Sequence, residues 1–418
     1  MERPMPNTLT LDVDFARAQF PAFREPDLTG WVHLENAGGS FPAGQTIDAL
    51  TGFYTRMKVQ PYGQAAPTAA GGQAMDRARA RWAEVMNVHP DEVTFGPSTS
   101  QNTYVLAQAF GAMLSAGDEI IVTQQDHEAN SGAWRRMAEE RGFTLREWTV
   151  DPVTGCLDPA DFDALLSERT RLVSFTHCSN IAGEENPVAE LTAKARAVGA
   201  YSVVDGVSWA PHEIPDVAAL GADVYLFSLY KVFGVHQGVM TVRRALLDRL
   251  PNQSHFFNAA YASKKLAPAG PDHAQVAATA GTLDYIDVLA DHHGIGANGA
   301  GERARAVNAL WRGHESAIAA PLIAYLADHP RVRLLGPPTS DAHRAPTIAF
   351  LPERMTPQAL EAALAERGFI VGASDFYAYR LIEALGIDPV SGVVRASMAH
   401  YTRAEDVTAF IDALDTLL

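Results

Sequence analysis

Five short runs rich in β-branched and aromatic residues constrain this chain most: EIIVT (119–123), RLVSFT (171–176), YSVVD (201–205), DVYLF (223–227) and GVMTV (238–242). Windows with a helical period, such as 129–141 and 188–198, lie between them. The runs do not alternate apolar with polar residues, so each is expected to be covered on both faces. Strands of that kind, spaced by helices, make a mostly parallel sheet with helices on both sides. At 418 residues the chain is too long for a single compact core. Beyond about residue 290 the texture changes to an Ala-rich helix over roughly 302–328. Short strands TIAFL (347–351) and FIVG (369–372) and helices near 356–367 and 403–417 follow. The expected organisation is an α/β fold. An N-terminal arm, 1–30, packs with the small domain, a large domain spans 31–290, and a smaller α+β domain spans 291–418. Further helices are expected near 14–19, 45–59 and 73–86, with PYGQAAPTAAGG as a loop between the last two.

Bulk properties narrow the partners. A formal net charge of −16 repels nucleic acid and anionic membrane alike, so neither is expected as a partner. Two cysteines, Cys156 and Cys178, argue for a reducing compartment rather than a disulfide scaffold. The opening residues lack the apolar centre of a signal peptide, and no stretch is long enough for a membrane span. A cytoplasmic enzyme is the expectation.

The chemistry is read from strand ends. Of the five lysines, Lys264 and Lys265 sit in a polar segment and Lys194 on the polar side of LTAKARAVG; Lys58 completes the set. Lys231 differs: it follows DVYLF within SLYKVFG. A lysine leaving a buried strand between aromatics is partly desolvated, which lowers its pKa and frees the amine to attack an aldehyde. The plain alternative is a surface lysine with its stem along the strand end. Asp205 closes YSVVD, where an acid points into the crevice that parallel sheets use for ligands. Alone it reads equally as a helix cap or a metal ligand. Together the two suit pyridoxal 5'-phosphate (PLP). That cofactor needs a carboxylate at its pyridine nitrogen and a lysine for its aldehyde. The sequence Gly96-Pro97-Ser98-Thr99-Ser100 stands before a helical pattern, so its N–H groups and hydroxyls form an anion cradle or an ordinary N-cap. His127, after EIIVT, is placed to stack on the pyridine ring or to cap a helix. Asn180, after RLVSFT, is placed to bond the phenolic oxygen or to shape a turn.

These segments resemble the class V aminotransferase family, in its cysteine desulfurase and selenocysteine lyase-like branch, from about Phe20 to the C-terminus. The resemblance implies PLP fold type I, with a seven-stranded-type, mostly parallel sheet in the large domain. FGPSTSQNTYVLA resembles the phosphate turn, assigning Ser98, Thr99 and Ser100. QQDHEAN gives His127 as the stacking and catalytic histidine, and THCSNIAGEENPV gives Asn180. VVDGVSWAPH gives Asp205, with Ser208 where glutamine is often found. FSLYKVFG gives Ser228 to the phosphate and Lys231 to the Schiff base, with Tyr230 where histidine is common. AGTLDY implies that Thr282 reaches the phosphate of a partner subunit, hence a homodimer. HLENAGGSFP resembles the opening strand and loop, with Asn36 toward substrate. VVRASMAHYTRAEDV gives Arg395 to the substrate carboxylate. In VGASDFYAYRL, Tyr377 stands where the desulfurases carry their persulfide-forming cysteine, and Gly372 where arginine is common.

The expected function is therefore PLP chemistry at the α-carbon of a small amino acid. It would be desulfurase-like, a C–S or C–Se lyase or β-elimination, without a persulfide relay. An aminotransferase and a PLP-carrying scaffold without turnover are the alternatives. GIGANG (294–299) fits a dinucleotide pattern but follows a helical stretch, not a strand. His292 and His293 are adjacent, which does not suit two ligands on one helix face, and no metal is expected.

Overall fold

The computed structural model describes residues 9–341 and 343–418, so the first eight residues of the expected arm lie outside the described residues. Seven strands form the large sheet. They are β1 (Val93–Gly96), β2 (Glu119–Thr123), β3 (Thr144–Trp148), β4 (Thr170–Thr176), β5 (Tyr201–Asp205), β6 (Val224–Ser228) and β7 (Gly238–Val242). Their order is β1-β7-β6-β5-β4-β2-β3. All neighbours run parallel except β7, which is antiparallel to both β6 and β1. Every residue of β1, β2, β6 and β7 is buried, as unbroken apolar runs require.

The register brings strand ends to one edge. Ser228 pairs with Gly238, Gly238 with Gly96, and Thr176 with Asp205. Because β7 runs backwards, its first residue meets the last residues of β6 and β1. Two helices start at this edge, Thr99–Met113 and Glu128–Arg141, capped by the Ser98 hydroxyl and the His127 ring. Gly238 lies so close to the first of them that a Cβ would stand 2.6 Å from the Ser98 carbonyl carbon and 2.9 Å from the Thr99 nitrogen.

The smaller, antiparallel sheet comprises β8 (Val332–Leu334), β9 (Thr347–Pro352), β10 (Gly372–Ser374) and β11 (Val393–Ser397), in the order β10-β11-β9-β8. The pair Val32–His33 runs parallel to Phe369–Ile370, and the Ser397 N–H donates to the Leu34 carbonyl at 2.6 Å. An early segment of the chain is thus tied to the late sheet. The described part of the arm does the same: Arg17 donates to the Tyr401 carbonyl at 2.8 Å, and buried Phe20 packs edge-on against Tyr401 at 4.7 Å and Tyr285 at 5.1 Å.

Two expectations about elements are corrected. PYGQAAPTAAGG is not wholly a loop, because the helix Ala66–Val85 begins inside it with Pro67 in its first turn. Proline at that position has its φ already set for a helix, and the alanines extend it. FIVG is not one strand: it divides at Val371 into Phe369–Ile370 and Gly372–Ser374, which join different sheets. No helix among the described residues is long and apolar enough to cross a membrane.

Candidate active site

The edge where strand ends and helix starts meet holds a cavity of about 480 Å³. Ser98, Thr99, Ser100, His127, Asn180, Asp205, Ser208, Ser228, Lys231 and Tyr377 all line it. The structure thus brings ten of the residues singled out from the sequence to one space.

Lys231 ends a single 3₁₀ turn directly after β6 and is the only buried lysine of the five. Its amine makes no hydrogen bond among the described residues. Burial, and then repulsion from Arg395, bring its pKa down to about 8, against the pull of Asp205 and Glu35. The other lysines are engaged at the surface. Lys194, for instance, bridges Asp163 at 3.0 Å and Glu190 at 2.8 Å.

Asp205 sits at the end of β5 and accepts the Val207 N–H at 2.8 Å. Desolvation raises its pKa to about 6, opposed by that hydrogen bond and by Lys231. A cationic partner in the cavity would hold it ionised. His127 accepts the Ala129 N–H on Nδ1 at 3.0 Å, and burial with the positive charges of Lys231 and Arg395 lowers its pKa to about 3. The ring is therefore neutral and suited to stacking. It leans on Tyr377, centroids 5.2 Å apart. The Thr99 and Ser228 hydroxyls bond each other at 2.7 Å, beside the opening N–H groups of a fifteen-residue helix, the kind of donor set that suits an anion. Ser98 also accepts the Gln101 N–H at 3.2 Å, so it caps the helix as well as lining the cavity.

Three of the residues that the resemblance assigns lie outside the cavity lining. Asn36 is buried away from the cavity lining. Its amide donates to the Ser397 carbonyl at 2.8 Å, and its oxygen accepts from the Tyr401 hydroxyl, so the side chain is consumed by packing. Thr282 lies wholly buried inside helix Ala280–His292, its hydroxyl without a partner among the described residues. It is packed against Gly234, whose Cβ would stand 2.8 Å from that hydroxyl. Arg395, which is 2% exposed, does not line the cavity. It donates to the Asn180 carbonyl at 3.1 Å, pairs with Glu35 at 2.5 Å and lies 3.7 Å over the Phe376 ring.

Residues not singled out also line the site: Tyr104, Thr176, Glu128 and His236. His236 stacks on Tyr230, 4.9 Å between centroids, near the place where the resemblance expects a histidine. Its signal was present in the short β6–β7 connection, VFGVHQG. Thr176 could have been read as the residue closing RLVSFT.

A buried amine, a carboxylate and a set of hydroxyls at a helix start line one cavity, and these are the group types that the aldehyde, ring nitrogen and phosphate of PLP require. The unbonded Lys231 amine in the cavity lining, and the Ser98–Thr99 turn that only a glycine at 238 lets approach the sheet so closely, are the features that fit the group.

Comparison with known proteins agrees with this geometry. The Aminotransferase class-V family model matches residues 32–410. The chain is 33% identical to the aminotransferase-like protein FGM3 of Gibberella zeae, over 98% of this chain and 99% of that protein. It is 30% identical to a probable cysteine desulfurase of Pseudomonas aeruginosa, over 96% and 97% respectively. The apo structure of a cysteine desulfurase from Thermococcus onnurineus NA1 superposes with a TM-score of 0.85 at 21% identity, covering 97% of this chain and 98% of that one. With its fold, the lysine–aspartate cavity and this match, the chain belongs to the class V aminotransferase family of PLP-dependent enzymes.

Proposed function

We propose that this enzyme acts at the α-carbon of a small amino acid as a desulfurase-like lyase, by C–S or C–Se cleavage or β-elimination, without relaying a persulfide. One observation carries the reading: the cavity holding Lys231 and Asp205 is lined by Tyr377, and no thiol lines it. Cys178 is fully buried. Cys156 is half-buried, and burial followed by the nearby Glu184 carboxylate pushes its thiol up to about 12. A sulfur carrier must be a mobile thiolate, and neither cysteine meets that requirement.

When bound, PLP supplies an electron sink for charge developing at the α-carbon. In this reading Lys231 would hold the cofactor, and its Nζ would take and return the α-proton. Asp205 keeps a positive charge at the ring nitrogen. His127 covers the ring with a neutral imidazole. Asn180 and Ser208 would hold the phenolic oxygen; Ser98, Thr99, Ser100 and Ser228 would hold the phosphate. Tyr377, beside His127 in the lining, would contact the substrate, and Arg395 would read the substrate carboxylate. A scaffold without turnover would need neither a buried base nor a ring carboxylate. The working form in this reading is a cytoplasmic homodimer.

The test is to offer L-cysteine under non-reducing conditions and follow the protein by mass spectrometry. Sulfide or pyruvate released with no sulfur on the protein agrees with the proposal. Stoichiometric persulfide on Cys156 or Cys178, with alanine released, overturns it. Accumulation of pyridoxamine phosphate moves the reading to an aminotransferase.

A further inference from the structure

Arg395 is the residue that would read a substrate carboxylate, yet its guanidinium is already engaged by a carboxylate of the chain itself. Glu35 Oε1 lies 2.5 Å from Arg395 Nη2. The pairing is incomplete: Arg395 Nε and Glu35 Oε2 are both buried and have no partner among the described residues. A fork that bonds a carboxylate at one point has room to bond one at two. The surroundings are built to hold Glu35 in this place. The parallel pairing of Val32–His33 and the bond from Ser397 N–H to the Leu34 carbonyl deliver Glu35 beside β11. Gly372 faces Arg395 across the β10–β11 pair, and a Cβ on it would stand 2.7 Å from the Phe376 ring and 3.1 Å from the Glu35 carboxyl carbon. A Cβ on Gly38 would stand 2.7 Å from Glu35 Oε1. Two missing side chains thus make the space that Glu35 fills.

We propose that Glu35 is an internal stand-in for the substrate carboxylate, holding Arg395 in the free enzyme and yielding it only to a ligand whose own carboxylate takes the fork. Glu35 is then a specificity-determining residue. It discriminates against ligands that carry an amine without a carboxylate, because these cannot release Arg395, and it sets a threshold that carboxylate-bearing substrates must overcome. Phe376 moves with the exchange, since its ring covers the same guanidinium at 3.7 Å. Consecutive left-handed residues hold it there, Phe376 with φ 49° and Tyr377 with φ 58°. The backbone is pinned to the large domain by Asn180, which donates to the Phe376 carbonyl at 3.0 Å.

The inference rests on the amino-acid reading above, and the experiment separates the two. The cofactor-loaded protein is titrated with 2-aminoisobutyrate, which has an α-carboxylate and no α-proton, and with isopropylamine, the same skeleton without the carboxylate. Binding is followed by the cofactor's visible band and by calorimetry, for wild type, Glu35→Gln and Glu35→Asp. Glu35→Gln keeps the shape and removes the competing charge. It is expected to bind 2-aminoisobutyrate about fivefold to tenfold more tightly, with isopropylamine unchanged within about twofold. Glu35→Asp keeps the charge but withdraws it by one methylene, and is expected to fall between. Equal tightening of both ligands overturns the proposal, since the lost charge would then act on the whole site rather than on the carboxylate. Unchanged or weaker binding of 2-aminoisobutyrate in two variants that melt like wild type also overturns it, leaving Glu35 as structural support. If the wild type binds no amino acid at all, it is the amino-acid reading that fails.

Discussion

At the scale of single residues, what counts is how much water each group has lost. Lys231 differs from the other four lysines because it is buried, and burial brings its amine to about 8. The attack on the cofactor's aldehyde needs the neutral amine, whose fraction grows as pH rises through that value. The rate of PLP attachment to the cofactor-free protein is therefore expected to rise through about pH 8 and level off above it, where an ordinary lysine would go on rising beyond pH 10. Stopped-flow absorbance across pH 6–11 checks this; a midpoint near 10.5 would contradict the burial argument. The strand-end residues were legible in the sequence, because an apolar run followed by Asp, Lys or Ser tells which edge of the sheet they reach. Asn36, Thr282 and Arg395 were legible as residues but not as atoms. Motif spacing does not reveal that the Asn36 amide is spent on Ser397, that Thr282 is inside a helix, or that Arg395 already holds Glu35.

Among the elements, the close approach of β7 to the helix Thr99–Met113 positions the anion cradle. Gly238 permits it, and any Cβ there would press on the Ser98–Thr99 peptide. Gly238→Ala is expected to weaken PLP affinity by about tenfold or more, with the fold retained, since the displaced N–H groups are those proposed to hold the phosphate. Equilibrium titration with PLP measures it, and an unchanged affinity would mean that this turn does not hold the phosphate. The central strands could be read because they are apolar and unbroken. Strand β3, TLREW, was missed: it lies at the sheet's edge, where charged residues replace the apolar run. The start of helix Ala66–Val85 was missed because glycine, alanine and proline are turn formers in one context, while proline in a first turn is a helix starter.

For the whole molecule, assembly is the open dimension, and the chain surface points to it. Phe256, Phe257 and Tyr261 lie together in one connection and are 87%, 63% and 57% exposed. Exposed aromatic side chains of this kind are the candidate contact surface for the proposed homodimer. Sedimentation equilibrium is expected to give twice the 45.0 kDa chain mass, and Phe256→Ser with Phe257→Ser to shift the species toward the monomer. A wild-type monomer that remains active at working concentration would contradict the homodimer. The two-sheet organisation was visible in the change of texture near residue 290. The tie between the early segment around Leu34 and the late strand β11 was not, because it is a long-range pairing of short segments with no local signal.

The central claim is that one lysine at one strand end carries the cofactor, and it can be tested directly. The yellow holoenzyme is reduced with borohydride, digested, and the modified peptide sequenced by mass spectrometry. The account predicts a single pyridoxyl label on Lys231, in the peptide containing SLYKVFG, and no label in Lys231→Ala. A label on Lys58, Lys194, Lys264 or Lys265, or a full label persisting in Lys231→Ala, would contradict it.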